Sequence, residues 1–151
     1  MSLLAIRLEK SLVSYLTDSL PGVTLLEGHR NEEQGPLPRV IVTVMSGGGD
    51  LVQGAGVDQL EVEIQLLIGS GEAGEREAAG DPLEHLARLA DTVRGALQES
   101  AQETIEGHLA GEDAGVAFSG IEYTGHKEGM NQERKLHGVV LSYRAYCGLM
   151  D

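Results

Sequence analysis

The segment from residue 60 to residue 68 constrains this chain more than any other. Leu60, Val62, Ile64, Leu66 and Ile68 alternate with Glu61, Glu63, Gln65 and Leu67. A period of two marks a strand with one dry face and one wet face. Such a strand needs neighbours on either side and an apolar layer against its dry face. The β-branched run Val40, Ile41, Val42, Thr43, Val44 supplies one neighbour, since these side chains fit a pleated surface. It is expected to form a hairpin with the alternating strand. Further strands are expected over residues 116–123 and 136–147, with Val139, Leu141, Tyr143, Ala145 and Cys147 sharing one face of the second. Residues 23–27 are a candidate short strand.

Two helical patterns provide the apolar layer. Leu4, Leu8, Leu12 and Leu16, with Tyr15 beside them, form one stripe over residues 3–19, and Pro21-Gly22 ends it. A second helix opens at Asp81-Pro82-Leu83-Glu84, where Asp81 suits the cap, Pro82 the first helical position and Glu84 the capping box. Leu83, Leu86, Leu89, Ala90, Val93 and Leu97 then recur at three- and four-residue steps. The expected fold class is α+β, a mainly antiparallel sheet with two amphipathic helices packed on one face, in a single domain spanning residues 1–151.

The remaining segments read as connections. Residues 28–38 hold two prolines and read as a polar loop. Residues 46–56 are glycine-rich and read as the long, mobile tip of the first hairpin. Residues 69–80 read as a flexible linker, residues 125–135 as a charged hairpin tip, and residues 100–115 are too polar to assign.

Charge narrows the function. The chain carries 24 acidic against 11 basic residues, a formal net charge of -13, and only 3% aromatics. Phosphate backbones bind to Lys and Arg, and unpaired bases stack on aromatic rings, so tight nucleic-acid binding is not expected. No run approaches the ~20 apolar residues of a membrane-spanning helix, and Arg7, Glu9 and Lys10 interrupt any signal-peptide pattern. The lone Cys147 sits in an alternating apolar segment and reads as a packed thiol.

No motif carries chemistry. Gly69-Ser70-Gly71-Glu72-Ala73-Gly74 matches G-x-G-x-x-G, but a dinucleotide site requires the helix to open at those glycines. Here the helix opens at Asp81, and Glu72, Glu75 and Glu77 would repel a phosphate. Gly47-Gly48-Gly49 lacks the Gly-Lys-Ser/Thr ending of a phosphate loop. His29, His85, His108, His126 and His137 show no metal-ligand spacing and read as solvated, although His126 and His137 flank a hairpin tip and could meet across it. No catalytic residue, metal or cofactor is expected.

The order of elements resembles the tail terminator or tail completion proteins of long-tailed bacteriophages and of prophage-derived particles. The resemblance rests on the N-terminal amphipathic helix, the Pro-rich loop leading to Arg39-Val40-Ile41-Val42-Thr43-Val44, and the long strand over residues 58–68. It continues through the helix opening at Asp81-Pro82-Leu83-Glu84-His85-Leu86-Ala87. The closing pair, Gly120-Ile121-Glu122-Tyr123-Thr124 and residues 136–144, completes it. It implies a structural virion protein of the tail or neck, made in the host cytoplasm. Its partners would be its own copies in a ring, usually of six, the tail tube protein, and the head-tail connector or neck protein. DNA would be only a passing cargo, and an acidic lining would keep it from sticking. The candidate interface residues are Gly47, Gly48, Gly49, Asp50 and Gln53 in one tip, and His126, Lys127, Glu128 and Arg134 in the other. The competing reading is a small monomeric or dimeric ligand-binding or regulatory module, which a well-formed apolar pocket with a few convergent polar groups would favour.

Overall fold

The computed structural model describes residues 3–30, 36–50, 57–69, 82–131 and 136–149. Among them are three α-helices, α1 (Leu3–Ser19), α2 (Pro82–Ala96) and α3 (Gln102–Glu112), and five strands, β1 (Thr24–Glu27), β2 (Arg39–Asp50), β3 (Asp58–Gly69), β4 (Val116–Asn131) and β5 (Leu136–Leu149). The strands form one sheet in the order β1-β2-β3-β5-β4. All pairings are antiparallel except β1 with β2, which is parallel. The α+β class stands, and the expected pair of helices becomes three.

The alternation of β3 sets the layers. Leu60, Val62, Ile64, Leu66 and Ile68 are buried, as are Val40, Val42 and Val44 on β2 and Val139, Leu141, Tyr143, Ala145 and Cys147 on β5. These side chains share the face covered by the helices. From α1 they meet Leu4, Leu8, Leu12 and Leu16, and from α2 they meet Leu86, Leu89 and Val93. Burying each such Leu or Val contributes about 1.5–3 kcal/mol. Leu83 departs from the expected stripe and is 57% exposed. The helix α3 contributes only Ile105 and Leu109 to the core.

Side chains staple the helices together. The Tyr15 hydroxyl donates to the carbonyl of Ala96 at 2.6 Å, satisfying an orphan acceptor at the last turn of α2. Arg7 and Asp113 form a two-point ion pair, with Nε to Oδ2 at 2.6 Å. Gln102 accepts the amide of Ile121 at 2.9 Å and donates to the carbonyl of Gln98 at 3.1 Å, tying the start of α3 to the outer strand β4. After α1, Pro21-Gly22 makes a tight turn in which Gly22 takes φ 80° and the Val23 amide bonds the Leu20 carbonyl. A positive φ at this place calls for glycine.

Three connections are more ordered than the sequence suggests. Residues 47–50 continue β2, with Asp50 opposite Asp58 past a register shift after Ser46. Residues 125–131 continue β4, running to Asn131 opposite Leu136. The stretch Gly28–Arg30, expected as loop, is a short 3-10 turn. In each case pairing or packing with distant residues decides the conformation, which a local reading of glycine and charge cannot see.

Candidate functional site

The two groups of expected interface residues separate in space. The β2–β3 turn leaves the sheet where Asp50 faces Asp58, and Asp58 in turn faces Cys147 near the start of β4. The β4–β5 turn leaves where Asn131 faces Leu136, beside Gly69 at the far end of β3. These two strand-pair ends therefore lie at opposite ends of one sheet. Gly47, Gly48, Gly49 and Asp50 belong to β2, and Gln53 and Arg134 lie outside the described residues, as does the glycine motif beyond Gly69. His126, Lys127 and Glu128 are exposed on β4, opposite Leu141, Val140 and Val139. His126 and His137 do not face each other, because Met130 is the residue opposite His137.

The histidines are more engaged than expected. His29 bonds the buried carboxylate of Glu9 through Nδ1 at 2.6 Å and through its backbone amide at 3.0 Å. Glu9 is 1% exposed. Its place in the sequence carries a signal, since it falls four residues after Ala5 and three before Leu12, on the apolar arc of α1.

A second cluster joins α1 to α3. Ser14 Oγ lies 3.3 Å from His108 Nε2, and His108 Nδ1 lies 3.9 Å from Asp18 Oδ2. These atom pairs are those of a Ser-His-Asp triad. The donors do not fit one, because the Ser14 hydroxyl donates to Glu112 at 2.7 Å and so offers its lone pair, not its proton, to His108. Both residues sit inside helices, where backbone amides are already bonded and form no oxyanion hole. The cluster is a helix-to-helix clasp, with Tyr15 edge-on to His108 at 5.4 Å.

The open face of the sheet carries a row of charge. Glu61, Arg144 and Glu122 stand in register across β3, β5 and β4. Arg144 donates to Glu61 at 3.2 Å and lies 4.0 Å from Glu122, which accepts the Tyr146 hydroxyl at 2.5 Å. Glu63 is exposed on the same face. The hydrogen bond that Arg144 donates to Glu61 raises the Arg144 pKa, and the bond to Glu122 raises that of Tyr146.

On the helical face, α2 and the outer strands leave a groove with two halves. One, of about 650 Å³, is lined by Leu83, Leu86, Ala90, Val139 and Leu141 with His126 and His137 at its side. The other, of about 810 Å³, is lined by Gln98, Gln102, Ile121, Tyr143 and Tyr146 among others. Asp91, Arg94 and Tyr123 border both. The Arg94 guanidinium lies 4.2 Å from the centre of the Tyr123 ring, and Tyr123 meets Tyr143 edge-on at 5.5 Å. Tyr123 also places its hydroxyl 2.7 Å from His126 Nδ1. No sequence motif flags this groove, because its residues come from positions far apart in the chain.

Among the described residues no cluster of three or more His, Cys, Asp or Glu side chains is placed to hold a metal, and no helix is long and apolar enough to cross a membrane. No protein-family model matches the chain, and no curated protein matches it.

Proposed function

We propose that this chain is a structural subunit of a long-tailed phage or prophage particle, forming a ring that caps the tail tube and joins it to the neck. The observation that carries the reading is that the paired strand ends Asp50–Asp58 and Asn131–Leu136 lie at opposite ends of one five-stranded sheet. An adapter between tube and connector needs two opposed attachment ends on a stiff body. The two strand-pair ends supply the attachment ends and the paired strands supply the stiffness.

The charge distribution supports the same role. With a net charge of -13 and the Glu61, Glu63 and Glu122 carboxylates on the open face, the subunit repels a polyphosphate chain. DNA would slide past such a face without sticking. The test is to replace residues 51–56, between the paired ends of β2 and β3, by a two-residue turn and supply the variant to particles lacking the native protein. The variant should fold with an unchanged circular dichroism spectrum and leave tails unjoined to heads. Normally joined particles would remove that end of the sheet from the mechanism.

The groove beside Arg94 favours a second reading, a ligand-binding module. Its apolar half falls within the roughly 300–1,000 Å³ typical of small-molecule sites, and polar groups converge at its border.

A further inference from the structure

Tyr143 is 2% exposed, and its hydroxyl has no hydrogen-bond partner among the described residues. A buried hydroxyl left unpaired destabilises a fold, and such groups call for a specific explanation. Tyr15, the other buried tyrosine, has its hydroxyl bonded to Ala96. Tyr143 instead lines the second half of the groove. Burial pushes its pKa up to about 12, opposed by the charge of Arg94, so it keeps its proton and stands ready to donate.

Arg94 is the second feature, an exposed cation beside the same groove. Arg94 has no ion-pair partner among the described residues, and its guanidinium is stacked on Tyr123. Stacking holds the plane of the fork while leaving its edge N–H groups able to donate. Arg94 and Tyr143 thus both line the second half of the groove, and Arg94 also borders the apolar trough formed by Leu83, Leu86, Ala90, Val139 and Leu141.

We propose that the groove between α2 and the β4–β5 edge binds a small monocarboxylic acid with an apolar body, its carboxylate held by Arg94 and Tyr143 and its body lying along the trough. Arg94 and Tyr143 both donate, which suits an anionic oxygen pair better than a neutral or cationic group. The rim limits the ligand to a single charge. Asp91, Glu99, Glu122 and Glu128 border the two halves and repel a second carboxylate or a phosphate. The proposal is independent of the ring, since every residue it uses lies in one copy of the chain.

The test is titration of the purified protein with octanoate, octanamide and octanedioate, followed by NMR or calorimetry. Octanoate should bind saturably. The amide and the diacid should bind about tenfold more weakly or less, the loss of one charge-assisted contact. Arg94→Gln and Tyr143→Phe should each weaken octanoate by about fivefold or more. Tyr143→Phe should leave the melting temperature of the unliganded protein unchanged or raised, separating lost recognition from lost folding. Absence of saturable octanoate binding, equal affinity for octanamide, or native affinity in either variant would overturn the proposal.

Discussion

Oε1 of Glu9 accepts the backbone amide of Val44 at 2.9 Å. The strand β1 pairs with β2 only as far as Glu27 opposite Val42, so the Val44 amide lies just past the end of its neighbour strand. A carboxylate from α1 takes the place of the missing carbonyl. The same carboxylate holds the backbone and ring of His29, fixing the 3-10 turn that follows β1. Glu9→Ala leaves that amide and His29 without their acceptor and should cost about 3 kcal/mol. Glu9→Gln, which keeps an acceptor, should cost less. Urea denaturation midpoints check the order.

The same corner forbids a side chain at Gly28. A Cβ there would overlap Thr43 Oγ1 and crowd the Val42 carbonyl. Gly28→Ala should therefore destabilise by about 1–3 kcal/mol. Thr43→Ala, added to it, should recover part of the loss, because it removes the nearest of the three atoms in the way and leaves Thr43 Cβ and the Val42 carbonyl. A double-mutant cycle measures the coupling.

Acid should weaken the contact between α1 and the end of α3. The hydrogen bond from Arg7 holds the Asp113 carboxylate below its usual 3.8, with help from the Gly115 amide. A depressed folded-state pKa means the contribution is full above the ordinary carboxylate range and is lost as pH falls through the lowered value. Wild type should therefore lose more stability between pH 5 and pH 2 than Asp113→Asn does, an acid window of the ordinary carboxylate kind. Chemical denaturation of the two proteins across that range tests this, and parallel curves would contradict it.

Cys147 should be inert in the folded chain. It is fully buried in the sheet, and burial pushes its thiol up to about 12. The thiolate is the reactive form, so a disulfide reagent at pH 8 should modify Cys147 only after denaturation. Rapid stoichiometric modification of the native protein would show that β5 opens.

Long-range pairing explains what the sequence conveyed and what it withheld. The helix over residues 3–19 and the alternation of β3 were legible because their periods lie within one element. The start of α2 was legible from Pro82, which suits the first helical position. Helix α3 was not, since Ile105 and Leu109 are its only buried residues and Gly107 and Gly111 weaken its propensity. Asp50 and residues 126–128 carry loop-like composition, yet partners on β3 and β5 hold them in the sheet. Leu83 belongs to the helical stripe by spacing, but it projects over the groove rather than the core. The cluster of Arg94, Tyr123 and Tyr143 exists only once α2 lies across the outer strands, so no local pattern announces it.

The ring is the central claim, and the native mass tests it most directly. Light scattering on the purified 16.0 kDa chain, over a concentration series, should give a stable species near six copies, the size of the proposed ring. A dimer that persists unchanged at every concentration would contradict the ring.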